Sequence, residues 1–178
     1  MNIVLIGYRA SGKTTVGKAV AERLGWQYVD IDDGIVARCG KTIAEIFAED
    51  GEPYYRDIES QVVAETCGGN HRVVAMGGGS VMRAENRQHA TRDALVVYLE
   101  APADLLWQRM GQDPDTSKNR PNLSSKGGLE EVVEMLAVRS PVYSQCATLT
   151  LDASLPVEIL VERIVQNIPP GSGFPTPG

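Results

Sequence analysis

Apolar positions fall into short runs and helical stripes that alternate along the chain. Ile3-Val4-Leu5-Ile6 is uncharged and partly β-branched, the pattern of a strand buried on both faces. Val16, Val20 and Leu24 then recur at i, i+4 and i+8 with Lys18, Glu22 and Arg23 between them. That is one stripe of an amphipathic helix, with Gly25 as its left-handed end. Trp26 to Val29 reads as a second strand, and residues 33 to about 67 as helix in short pieces. Gly40 closes one piece, Thr42-Ile43-Ala44-Glu45 opens the next as a capping box, and Asp50-Gly51-Glu52-Pro53 breaks the chain again. Tyr55, Ile58, Val62 and Val63 carry the helical period of the last piece, whose polar face includes Arg56 and Glu59.

Val73 to Ala75 and Ala94 to Leu99 predict strands three and four, with a polar helix over Ala84 to Thr91 between them. Pro102 suits the first turn of a helix reaching Met110. Leu129 to about Ser144 is amphipathic, with Arg139 near its end, before Ser140-Pro141. Thr148 to Leu151 is a fifth strand, and Pro156 to Ile168 a last helix with Ile159, Leu160 and Ile164 turned inward. Five strands alternating with helices predict a three-layer α/β/α domain around an open parallel sheet. Two segments break the pattern. Among residues 111–128 only Leu123 is a large aliphatic, which predicts a mobile lid, and residues 169–178 are a proline- and glycine-rich tail expected to be disordered. Residues 1–168 are expected to form a single domain.

The loop after the first strand carries the sharpest chemistry. Gly7-Tyr8-Arg9-Ala10-Ser11-Gly12-Lys13-Thr14 matches G-x-x-x-x-G-K-[ST] between a strand and a helix, the context the pattern requires. Backbone N–H groups of such a loop cradle phosphates at the positive end of the helix. Lys13 would reach the β- and γ-phosphates of a nucleoside triphosphate, and the Thr14 hydroxyl would hold Mg²⁺. Asp30 and Asp32 follow the second strand, on one face if the chain there is extended. They could hold the hydration shell of the metal or accept a hydroxyl proton, or Asp32 or Asp33 could simply cap the next helix. Gly77-Gly78-Gly79 ends the third strand, where glycine suits a backbone that approaches a ligand closely. Arg120 sits mid-lid, where a cation can close over phosphates.

Bulk properties narrow the partners. The 178 residues carry a net charge of −6, which argues against a general nucleic-acid footprint, so an anionic substrate must meet local arginines. Cys39, Cys67 and Cys146 form no C-x-x-C pair and only His71 and His89 accompany them, a composition of free thiols in a reducing compartment rather than a zinc site. No apolar run approaches the ~20 residues that span a bilayer. The first strand begins almost at once, leaving no room for a signal peptide, so a cytoplasmic protein without membrane attachment is expected.

These motifs, in this order, resemble the shikimate kinases, small relatives of the nucleoside-monophosphate kinases. The resemblance runs from Asn2 to about Ile168. It rests on the phosphate loop, Asp30-x-Asp32, Arg56 within E-P-Y-Y-R-x-x-E, Gly77-Gly78-Gly79, Arg120-Pro121 and Arg139-x-Pro141-x-Tyr143. It implies a P-loop kinase fold with a helical substrate-binding segment over about 31–67. It also implies transfer of the γ-phosphoryl group of ATP to the 3-hydroxyl of shikimate by a monomer. Lys13, Asp32 and Arg120 would then be catalytic, and Ala10, Ser11, Gly12, Lys13, Thr14, Thr15 and Arg120 would bind ATP. Asp32, Arg56, Gly77, Gly78, Gly79 and Arg139 would bind shikimate, and Thr14 and, through water, Asp30 would hold Mg²⁺. Two positions depart from the family. Ala10 stands where glycine is common, tolerable if φ is negative there, and Tyr55 stands for phenylalanine, adding a hydroxyl that needs a partner. The alternatives are a kinase for another small acid or polyol, such as gluconate, or for a nucleotide. A GTPase-type switch is disfavoured because neither N-K-x-D nor D-x-x-G occurs.

Overall fold

The computed structural model describes residues 1–112 and 128–170. Five parallel strands form one sheet in the order β2-β3-β1-β4-β5. The strands are β1 (Asn2–Ile6), β2 (Gln27–Asp30), β3 (Arg72–Ala75), β4 (Ala94–Glu100) and β5 (Leu149–Asp152). β1 is central and buried along its whole length, as its unbroken apolar run requires.

Successive side chains of β1 feed opposite cores. Ile3 and Leu5 pack with Val16, Val20 and Leu24 of α1 (Lys13–Leu24), with Leu106 of α6 (Ala103–Gln112), and with Leu160 and Ile164 of α8 (Val157–Gln166). Val4 and Ile6 face the other layer, built from α2 (Ile31–Cys39), α3 (Ile43–Glu49), α4 (Gly51–Cys67) and α5 (Ala84–Thr91). α7 (Gly128–Cys146) serves both cores, giving Val132 to the first and Tyr143 to the second. The capping box forms as expected: Glu45 N donates to Thr42 Oγ1 at 3.2 Å, and Thr42 N donates to Glu45 Oε2 at 2.7 Å.

Several local expectations are corrected. Asp30, not Asp32 or Asp33, caps α2, accepting from Asp32 N at 3.0 Å. The chain turns helical at Ile31, so Asp30 and Asp32 do not share a face of an extended strand. α7 continues through Pro141 to Cys146, placing Arg139 well inside the helix. Ile159 is exposed, and Leu160 and Ile164 alone carry the inward stripe of the three residues expected. Among the described residues, no helix is long and apolar enough to cross a membrane.

Candidate active site

Because β3 and β4 flank β1 and their connections leave in opposite directions, a crevice opens beyond the carboxyl end of β1. The glycine-rich loop lies in it. Gly7 (φ 143°) is required twice over, since a Cβ there would sit 2.7 Å from the Leu99 carbonyl oxygen on β4. Gly12 (φ 95°) is the N-cap of α1 and no side chain caps that helix, so its first N–H groups remain for an anion. Ser11 adds a buried hydroxyl without a protein partner. Lys13 Nζ folds over the loop and donates to the carbonyls of Gly7 (2.9 Å) and Tyr8 (2.8 Å). Ala10 has φ 62°, the left-handed region, so its methyl is held under backbone strain rather than accommodated at negative φ.

This loop lines a cavity of about 670 Å³, together with Thr14, Thr15, Asp30, Asp32, Gly77 and Gly78. A smaller adjoining cavity of about 70 Å³ is lined by Asp32, Tyr55, Arg56, Gly79 and Arg139 among others. Arg9, Asp32, Gly77 and Gly78 border both. The donor-side and acceptor-side residues named from the sequence thus converge on two connected spaces. Arg120 lies outside the described residues.

On the acid side, Asp30 accepts from Tyr28 Oη at 3.1 Å, and the same tyrosine interacts with Thr14. Burial, reinforced by the charge of Asp32, pushes the Asp30 carboxyl above its ordinary range. The Tyr55 hydroxyl, for which the sequence required a partner, donates to Asp32 Oδ1 at 3.4 Å.

Around the smaller cavity, Arg56 Nη1 pairs with Glu59 Oε2 at 2.9 Å, and its Nη2 with Glu52 Oε1 at 3.3 Å. Glu59 is fully buried and also accepts from Ser80 Oγ. Arg139, 7% exposed, sets its guanidinium 5.6 Å from the Tyr8 ring centre. One turn on, Tyr143 donates to the Gly78 carbonyl, and burial holds its phenol far above the ordinary range. Gly77 and Gly79 make room for these groups, and Gly78 lies within ordinary contact range of them. A Cβ at Gly77 would meet Asp32 Oδ1 at 3.1 Å, one at Gly78 would meet Arg139 Nη1 at 3.5 Å, and one at Gly79 would meet Arg56 Nη2 at 2.9 Å.

Three residues of the site were not singled out by sequence reasoning. Glu59 reads as part of a polar helix face yet is buried; its spacing of three from Arg56 was the available signal. Tyr143 belongs to the quoted arginine motif, one helical turn beyond Arg139. Glu131, 1% exposed, pairs with Arg9 of the phosphate loop at 3.1 Å, and nothing local in the sequence marks it.

Comparison with known proteins identifies the family. The family model described as shikimate kinase matches residues 9–169. A shikimate kinase of Nitratidesulfovibrio vulgaris is 38% identical over 91% of this chain and 92% of its own. One from Symbiobacterium thermophilum is 43% identical over 83% of each. Among solved structures, the shikimate kinase from Acinetobacter baumannii in complex with shikimate is similar at a TM-score of 0.86. It is 35% identical, with 93% of this chain and 90% of that one covered. The chain belongs to the shikimate kinase family.

Proposed function

We propose that the chain transfers the γ-phosphoryl group of ATP to the 3-hydroxyl of shikimate, giving shikimate 3-phosphate and ADP. The observation that carries this reading is the junction of the two cavities. A phosphate loop opens on one side of Asp32, and two guanidinium groups, Arg56 and Arg139, lie on the other. Paired guanidinium groups suit a carboxylate-bearing acceptor, which they can grip through charge-assisted, bidentate hydrogen bonds. Asp32 accepts a hydrogen bond from the acceptor hydroxyl and orients it toward the γ-phosphorus. Lys13 leaves the carbonyls of Gly7 and Tyr8 for the phosphates, and Arg120 closes over them. Catalysis then comes from positioning and charge neutralisation.

The donors present fit a hard divalent cation: the Thr14 hydroxyl and the Asp30 carboxylate line the same cavity, and burial, with the charge of Asp32 beside it, already disfavours the Asp30 charge. Mg²⁺ held by Thr14 and, through water, by Asp30 would neutralise charge on the β- and γ-phosphates. Residues 1–168 act in this reading as one monomeric domain, with 31–67 as acceptor segment and 111–128 as lid, working in the cytoplasm. The free thiols of Cys39, Cys67 and Cys146 support that compartment.

A coupled ADP-release assay tests the reading, run with shikimate, gluconate, a nucleoside monophosphate or no acceptor. ADP release that depends on shikimate is expected. Phosphorylation of gluconate or the nucleotide without phosphorylation of shikimate would overturn it.

A further inference from the structure

We propose that Tyr55 is a positioning residue of the acceptor site, its hydroxyl fixing the plane of the Asp32 carboxylate that receives the acceptor hydroxyl. The inference rests on the functional reading above and adds to it a residue that acts through Asp32 rather than on the substrate.

The soft coordinate of Asp32 is its last torsion. Its backbone is pinned in the first turn of α2, where its N–H donates to Asp30 Oδ1 at 3.0 Å. The terminal torsion of an aspartate, in contrast, is broad and roughly two-fold, so packing alone selects its plane weakly. A directed donor is what selects it. Tyr55 supplies one, with its hydroxyl oxygen 3.4 Å from Asp32 Oδ1 and both residues buried. This separation is long for an O–H to oxygen contact, and a closure of a few tenths of an ångström brings it into the usual range, as catalytic hydrogen bonds do when a site loads.

The donor itself is held. The Tyr55 ring packs on Phe47, with centroids 4.7 Å apart, and the Arg56 guanidinium carbon lies 5.1 Å from the ring centre. A tyrosine has only two side-chain torsions, and a buried ring with such neighbours leaves its hydroxyl little freedom. The same oxygen of Asp32 also faces Gly77, where a Cβ would stand 3.1 Å away. Tyr55 and Gly77 therefore bound Oδ1 together and set how the carboxylate presents itself to the cavity junction. Tyr55 and Arg56 are adjacent on α4, so one helical turn orients the carboxylate and carries a guanidinium for the acceptor.

Loss of the hydroxyl should show in turnover rather than in binding, because orientation at the moment of transfer is a transition-state property. The test compares wild type, Tyr55→Phe, Asp32→Asn and the double variant by ADP release, with the two aspartate variants followed in long single-turnover runs. Phenylalanine keeps the ring and its packing, so Tm should stay within about 2 °C. Tyr55→Phe should lower kcat about tenfold, equal to about 1.4 kcal/mol, with the shikimate KM within about twofold. In the Asp32→Asn background the same change should alter the rate by less than about twofold. Three results overturn the proposal: a Tyr55→Phe rate within twofold of wild type, a tenfold loss that persists without the Asp32 carboxylate, or a loss that appears in KM alone. A wild-type chain that releases no ADP with shikimate overturns the acceptor reading as well. Normal wild-type turnover beside an equally active Tyr55→Phe overturns this inference alone.

Discussion

Replacing Glu131 with alanine removes a contact that ties α7 to the phosphate loop. Arg9 Nη2 lies 3.1 Å from Glu131 Oε1, with the arginine side chain 11% exposed and the glutamate 1%. Removing one partner of a buried ion pair leaves the other charge uncompensated, at a cost of roughly 3–5 kcal/mol. Arg9 borders both cavities and rests 5.8 Å from the Tyr8 ring centre, so its guanidinium can regain some water, which puts the cost at the low end, about 3 kcal/mol. For a domain of this size each kcal/mol moves Tm by roughly 2–4 °C, so Glu131→Ala should melt about 6–12 °C below wild type. Replacing both partners by apolar residues, Arg9→Met with Glu131→Leu, should recover most of that loss, because neither charge is then stranded. Thermal melts followed by circular dichroism at about 0.1 and 1 M salt are the assay; the wild-type to variant gap should change little, since a buried pair is weakly screened. A drop below 2 °C, or a double variant as unstable as the single one, refutes the reasoning.

The acceptor role proposed for Arg139 gives a kinetic prediction. Arg139→Ala should raise the shikimate KM by about 10- to 100-fold, the 1.5–3 kcal/mol of a hydrogen bond to a charged group, with the ATP KM little changed; titration of each substrate checks it, and an unaltered shikimate affinity removes Arg139 from that role. Gly79→Ala pushes a methyl to 2.9 Å from Arg56 Nη2, the far end of a flexible side chain, so Tm should hold within about 2 °C while the shikimate KM rises. Ala10→Gly should raise Tm slightly, by about 1–3 °C, because relief of roughly 1–2 kcal/mol of left-handed strain outweighs the entropy glycine adds to the unfolded chain; a fall in Tm counts against the strain. Burial pushes the Cys67 thiol up from 9.0 to about 11, so between those values the unfolded chain loses this proton and the native one keeps it. Stability attributable to Cys67 is therefore complete below about pH 9 and falls as pH rises toward 11, by roughly 2 kcal/mol, and Cys67→Ala should flatten that part of a urea-denaturation pH series.

How far the sequence reaches depends on the range of the interactions involved. The alternation of strands and helices along the chain, the helix over Ala84–Thr91, the Thr42–Glu45 box and the left-handed ends at Gly25 and Gly40 all follow from local pattern. The capping of α2 by Asp30 did not, because three acids stand within four residues and only the path of β2 decides which one caps. The helix expected to about Ser144 runs on to Cys146 in spite of Pro141. Proline at an internal position costs a helix about 3 kcal/mol, yet Tyr143 and Cys146 beyond it are buried against the sheet, and that packing outweighs the local penalty. The sign of φ at Ala10 was likewise beyond local reach, since the anion cradle fixes the loop and the methyl must follow. The Arg9–Glu131 pair spans 122 residues, and no sequence window contains both partners.

The glycine triplet lines the cavities, Gly77 and Gly78 both of them and Gly79 the smaller, and the folded chain adds a physical reason that its sequence does not suggest. Three glycines at a strand end read as backbone cleared for a ligand. In the folded chain two of them are cleared for protein side chains, Gly77 for Asp32 and Ser80 and Gly79 for Arg56, while Gly78 lies within ordinary contact range of Arg139. The carbonyl of Gly78 is in turn held by Tyr143, so α7 grips the triplet from one side while α4 reaches it through Glu59 and Ser80 from the other. Asp32, Arg56 and Arg139 come from three helices with no common local motif, and the triplet is the surface on which they meet. That explains why composition leaves both arginines looking like solvated charges: the backbone after β3 is what brings them beside Asp32 around one cavity.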